Sequence, residues 1–390
     1  MKVLNLLHEN IYCGFIFAVV VGSLLMISCM PRQSGEIRIG VLATLSGDPK
    51  VIESSGKPTV DAVRLAADEI NKAGGLKIRD KTYKIILFIE DDYNNPNETA
   101  ASVKRLINQH KVAAIIGPQY SKNAIPAAEL AESTGIPLIS PMSTNPQTTA
   151  NKKGVFRVGF IDPFQGKVLA QFAYNNLKAR KAAVLYNIAN DYNRGLAQVF
   201  NEEFTKIGGK ISSYESYTTD NVNYQTQLKQ IRNSQPDVLL LPNYTYEIIP
   251  QVEQSRKLGI TATLLFGDGF VLSAVSDPSL FEGSFLCGHW HPESSSIKSR
   301  EFVKTFQKTY DYEAGEASAL TYDAFGLVIF AMQNEGKSDS HSIKKGMAKI
   351  QGYQGVCGVI SYKGSGDPIK SAFISQIIGG KALFYTLVEP

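Results

Sequence analysis

Between residues 115 and 146 the chain reads IIGPQYSKNAIPAAELAESTGIPLISPMSTNP, two strand–turn–helix junctions in close succession. The apolar run at 112–116 reads as a buried strand that breaks at Gly117-Pro118. Ser121 opens a helical segment that closes near Gly135, and Pro126 places the start of the regular helix nearer Ile125. A second apolar strand at 136–139 breaks into Pro141-Met-Ser-Thr-Asn-Pro146. Short strands joined through helices predict a parallel sheet covered on both faces. Both turns carry hydroxyl residues. Backbone N–H groups and hydroxyls gathered at strand ends make a seat for a small anion such as a carboxylate.

The same rhythm runs through the chain. A strand at 37–44 leads to a helix whose face carries Val60, Val63, Ala67 and Ile70 and which stops at Gly74-Gly75. A strand at 84–90 and a helix at 99–109 follow. The pattern restarts after 157–160, with strands at 182–187, 238–241 and 263–266 and helices at 165–177, 195–207, 224–233 and 246–258. Segments at 285–290, 352–362 and 373–378 return as strands around helices at 297–310 and 317–334. The fold class is α/β, in two Rossmann-like lobes. A chain of 390 residues has room for both.

The first 28 residues differ. Lys2 precedes an almost uncharged apolar run at 11–27, which ends in L-M-I-S-C at Cys29. This reads as a secretion signal (1–28) with Cys29 as a lipidated residue and 29–36 as a tether; an uncleaved membrane anchor is the other reading. Both put the remainder outside the cytoplasmic membrane, in the periplasm or on the outer face of the cell membrane. Cys13 leaves with the signal. Cys287 and Cys357 remain, as a disulfide or as two buried thiols. The net charge of +4 carries no nucleic-acid argument.

Ligands of open α/β sheets bind outside the carboxyl ends of the strands. Ser121 lies at such an end, either as a helix cap or as an anion ligand. Ser143 and Thr144 share that sheet edge. Asp268, between Gly267 and Gly269, ends a strand of the second half, where it is a turn residue or an acid facing the first half. An acid opposite an anion seat is what a zwitterionic amino acid requires. Tyr192 presents a ring to the cleft or caps a helix. No G-x-S-x-G, H-E-x-x-H, P-loop, C-x-x-C or G-x-G-x-x-G motif is present, which disfavours an enzyme and a dinucleotide cofactor. His289 and His291, two apart without further ligands nearby, read as strand or hinge residues rather than a metal site.

These features together resemble the leucine/isoleucine/valine-binding family, the type I solute-binding proteins of ABC importers. The resemblance runs from Ile37 almost to Pro390. It rests on IGVLATLSG at 39–47, residues 62–75, IGPQYS at 116–121, residues 136–146, Asp191-Tyr192, the Gly267–Gly269 turn, Tyr322-Asp-Ala324, and GVCGVISY with GSGD at 355–367. It implies two lobes, 37–157 plus 289–361 and 158–288 plus 362–390, joined by crossovers near 157–160, 285–290 and 361–367. It implies that Ser121 binds a ligand carboxylate, that Ser143 and Thr144 add contacts to the amino-acid end, that Tyr192 covers the ligand, and that Asp268 takes the ammonium. The implied activity is capture of an amino acid or related small polar solute, by a monomer, for a membrane permease. The family often carries an aromatic in the first-lobe loop, here 51–56, and Gly where Asn193 stands. The same lobes also serve a sensor coupled to a membrane receptor, an α/β enzyme, and a sugar-responsive repressor that would need a DNA-binding head before Ile37.

Overall fold

The computed structural model of the chain describes residues 33–218, 222–293 and 296–390. The expected signal at 1–28 and the lipidation site Cys29 lie outside the described residues. Six strands build the first sheet: β1 (Gln33–Ala43), β2 (Leu76–Ile78), β3 (Lys81–Asp91), β4 (Ala114–Ile116), β5 (Leu138–Ser140) and β6 (Val155–Arg157). Their order is β2-β3-β1-β4-β5-β6, parallel from β3 to β6. Successive strand side chains point to opposite faces. So Ile37, Ile39 and Val41 enter one apolar cluster and Leu42 another, and helices cover both.

The second sheet takes β7 (Lys181–Asn187), β8 (Lys210–Tyr217), β9 (Val238–Leu241), β10 (Thr263–Phe266) and β11 (Phe285–Gly288). A small antiparallel sheet follows, of β12 (Tyr353–Gly355), β13 (Gly358–Tyr362) and β14 (Pro368–Ile369). Then β15 (Ala372–Ile378) and β16 (Lys381–Val388) join the second sheet antiparallel, giving the order β16-β15-β11-β10-β9-β7-β8. Alternation again splits the core: Val184 packs on one face, Ala183 and Leu185 on the other. In each lobe the first strand has neighbours from opposite windings, β3 and β4 around β1, β8 and β9 around β7. Those are the positions where a crevice opens at the strand ends.

Four local expectations change. Residues 49–56 are helical, not a loop: Asp48 accepts the Lys50 N–H, Pro49 starts a turn, and a π turn at Ile52–Gly56 runs into the Lys57–Lys72 helix. The helix at 121–134 begins at Ser121 and keeps Pro126 inside it. The helix expected from Gly195 begins at Asp191, capped by Asn190, which accepts the Tyr192 N–H. Strands β8 and β16 were not legible, because both are edge strands whose polar or exposed alternation carries little apolar signal.

The chain passes between lobes three times: after β6, after β11 and after β14. The third passage follows Ile369, beyond the expected 361–367, because Ser361 and Tyr362 still pair with Ile369 and Pro368. Arg157, fully buried, stands at the first passage. Its Nε meets Asp367 Oδ1 at 2.7 Å, tying the first passage to the approach of the third. Its Nη1 donates to Ser143 O at 2.5 Å and its Nη2 to Asn145 O at 2.9 Å and Thr149 Oγ1 at 2.7 Å. One guanidinium therefore satisfies the backbone of the loop that carries Ser143 and Thr144. Removing one member of a buried ion pair leaves its partners desolvated and unpaired. Arg157→Ala is expected to lower stability by about 3–5 kcal/mol, measured by urea unfolding; a loss below about 1 kcal/mol would show that the carbonyls find other donors.

Candidate functional site

The strand ends of both lobes face a cavity of about 640 Å³. From the first lobe come Ser121 and Thr144. Ser121 is the first residue of its helix, and the cap position belongs to Tyr120, whose side chain makes no capping bond. So Ser121 is not spent on capping. The leading N–H groups of that helix have no intrahelical acceptor and favour negative charge. The Ser121 hydroxyl accepts from Ser143 Oγ at 3.0 Å and, more weakly, from Asn145 N at 3.4 Å. Ser143 Oγ also lies 2.7 Å from Thr148 Oγ1. With Ser143 donating to Ser121, Thr148 donates to Ser143, and the Ser121 proton is left for the cavity. Ser143 itself does not reach the cavity wall; it orients Ser121. The Thr144 hydroxyl is buried beside the Asp162 carboxyl.

The second lobe brings Tyr192 and Asp268. Tyr192 Oη accepts the Gly269 N–H at 3.1 Å, which clamps the Gly267–Gly269 turn onto the Asp191–Lys206 helix. The two glycines are required by that approach: a Cβ at Gly267 would stand 2.4 Å from Tyr192 Oη, and one at Gly269 would stand 2.8 Å from Asn243 O. The Tyr192 ring stacks on Tyr244 with centroids 5.1 Å apart. Tyr244 in turn meets Tyr120 of the first lobe edge to face at 4.7 Å, so the lobes touch across the cavity.

Asp268 Oδ2 lies 3.1 Å from His289 Nε2. His289 Nδ1 accepts the Phe160 N–H at 3.3 Å, so the ring proton sits on Nε2 and is donated to Asp268. Burial lowers the His289 pKa, consistent with this neutral tautomer. Asp268 Oδ1 has no partner. The structure thus brings Ser121, Thr144, Tyr192 and Asp268 to one cavity, with Ser143 behind them. Asn193, which departs from the family pattern, donates to Asn243 Oδ1 at 2.9 Å and Glu247 Oε2 at 3.0 Å beneath Tyr244. Cys287 and Cys357 are not bridged: both are free and buried, in the cores of different lobes.

Three residues at the site were missed. The sequence marks His289 only as a strand or hinge residue. Asp162 is fully buried, with its carboxyl beside the Thr144 hydroxyl; its own N–H donates to Thr144 O at 2.9 Å. Glu316 lines the cavity from the start of the Glu316–Glu335 helix. No spacing rule links these residues to Ser121, since they come from segments far apart along the chain. Among the described residues no cluster suited to a metal ion occurs.

Burial pushes the Asp162 carboxyl up to about 8, and the Asp268 charge acts in the same direction. Burial likewise pushes Glu316 up to about 8 from an ordinary value of 4.5. Folded-state values above the unfolded ones mean that the native state holds more protons between about pH 4 and 8. Stability contributed by these groups is therefore present at low pH and lost as pH rises through that window. The ligand-free protein is expected to lose melting temperature steadily from pH 5 to 8.5, and Asp162→Asn to flatten the slope. A melting temperature that rises across that range would refute the assignment.

The family model described as "Periplasmic binding protein" matches residues 36–381. A Pseudomonas aeruginosa protein named "Amino acid binding protein" is 33% identical over 266 residues, covering 68% of each chain. The "Leu/Ile/Val-binding protein homolog 1" of Brucella suis is 26% identical over 337 residues, 85% of this chain and 88% of that one. Among solved structures, the Streptococcus pneumoniae branched-chain amino acid transporter substrate-binding protein LivJ, in complex with isoleucine, aligns with a TM-score of 0.84 at 28% identity, over 91% of this chain and 100% of that one. The leucine-binding protein LivK of Thermotoga maritima aligns with a TM-score of 0.82 at 29% identity, over 91% and 99%. With two wound lobes, three passages between them and a cavity at their facing strand ends, the chain belongs to the periplasmic binding protein family.

Proposed function

We propose that this protein captures an amino acid in the cavity between its lobes and delivers it to an ABC permease. The observation that carries this reading is the pairing of opposite chemistries in one cavity: a free helix N-terminus with the Ser121 and Thr144 hydroxyls from one lobe, and the unpartnered Asp268 oxygen from the other. A ligand carboxylate seats on the first and a ligand ammonium on the second. A solute bound by both lobes favours the closed arrangement over any open one by the contacts made only there. Tyr192 and Tyr244 supply flat apolar surface over the ligand. In this reading the protein works as a non-catalytic monomer outside the cytoplasmic membrane, anchored by lipid at Cys29, with lobes at 37–157 plus 289–369 and 158–288 plus 370–390. Nucleotide hydrolysis belongs to its partner subunits.

The direct test is mass spectrometry of the solute retained on purification, followed by calorimetry with that solute. Asp268→Ala is expected to weaken binding by about 3–5 kcal/mol, the cost of a buried ammonium without its counter-ion. Unchanged affinity would sink the assignment of Asp268. Ser121→Ala is expected to cost about 1.5–3 kcal/mol, as for a hydrogen bond to a charged group. A dissociation constant equal to that of the parent protein would leave Ser121 a structural role only.

A further inference from the structure

Asp268 accounts for one cationic group of a ligand, and a second carboxyl on the same wall remains unused. Glu316 Oε1 accepts the backbone N–H groups of His289 at 2.7 Å and Trp290 at 3.1 Å. Among the described residues both of these bonds fall on Oε1, and Oε2 receives none. The seat is shaped for this side chain, since a Cβ at Gly288 would stand 2.2 Å from Glu316 Oε1. Two donors on one oxygen hold the carboxyl rigidly, with the other oxygen turned from the protein's own donors.

The surroundings favour a cation. The cavity wall carries five carboxyl side chains, Glu53, Asp268, Glu293, Glu313 and Glu316, against two lysines, Lys50 and Lys381, in a chain whose net charge is +4. Both lysines are exposed, and neither is paired with Asp268 or Glu316. His291, also on the wall, has both ring nitrogens engaged: Nδ1 accepts the Glu293 N–H and Nε2 lies 3.1 Å from Ala382 O. The rings of Tyr120, Tyr244 and Trp290 line the same space, and aromatic faces attract cations.

We infer that the site is built for an amino acid with a second cationic group on its side chain, held by Glu316 while Asp268 holds the α-ammonium. This rests on the amino-acid reading above and names the substrate class within it. Burial raises the Glu316 pKa while the buried ammonium of Lys370 acts to lower it, and a ligand cation adds to the effect of Lys370. A neutral side chain of the same length leaves Glu316 unanswered, so the site discriminates by charge rather than by size.

The test is calorimetry on the full chain, stripped of retained solute, with L-lysine and L-norleucine, which differ by the terminal ammonium. Lysine is expected to bind at least about 100-fold more tightly than norleucine. Glu316→Gln, whose amide oxygen still accepts both N–H groups, is expected to remove most of that ratio while norleucine binding stays within about threefold. Norleucine binding by the variant also reports that it folds; should the variant not fold, the ratio on the parent protein decides. Norleucine binding as tightly as lysine overturns the inference and leaves the amino-acid reading standing. Equal weakening of both ligands by Glu316→Gln overturns it as well, because Glu316 would then serve the α-ammonium. Binding of neither ligand, nor of L-leucine, counts against the amino-acid reading itself.

Discussion

The site depends on one buried cation. Arg157 has no solvent of its own; it pairs with Asp367 and donates to the backbone at Ser143 and Asn145 and to Thr149. Thr149 Oγ1 also donates to Asp367 Oδ1 at 2.6 Å. A buried guanidinium is costly unless every contact is well made, and here the contacts are the chain passages themselves. The loop bearing Ser143 and Thr144 thus has its shape set by the hinge, and Ser143 passes that order to Ser121 through a hydroxyl chain. Hinge geometry and ligand seat form one polar network.

The second lobe is organised by different means. Its contribution is held by rings and by the absence of side chains. Tyr192 can bond the Gly269 N–H only because Gly267 and Gly269 leave room for its ring. Asp268 sits between them, aimed by a neutral imidazole. A neutral donor orients the carboxylate, which in the proposed function is the group that meets the ligand ammonium. Burial raises the pKa of Asp162 and of Glu316, and the charge of Asp268 acts on both in the same direction.

Much of this was legible from the residues. The strands at 114–116, 138–140, 238–241 and 263–266 are short, almost wholly buried and largely apolar runs ended by turn formers, the pattern of a sheet covered on both faces. The hydroxyls and Asp268 stood at their ends, where ligands of such sheets sit. The helical character of 49–56 was hidden because a π turn breaks the ordinary periodicity. Tyr192 was assigned to a loop because Gly195 looked like the helix start, whereas Asn190 caps the helix earlier. Cys287 and Cys357, both in apolar strand-like runs, looked equally suited to a bridge; they pack in separate cores.

By itself the sequence determined the two wound sheets, the family, and one end of the site, because strand periodicity and turn chemistry are local properties. The tertiary structure alone decided which distant residues share the cavity. Arg157, Asp162, His289 and Glu316 lie near passages between lobes, where neighbours in space are far apart along the chain. Their roles come from burial and from which donors and acceptors remain unpaired after folding. Neither quantity exists until the passages bring those segments together.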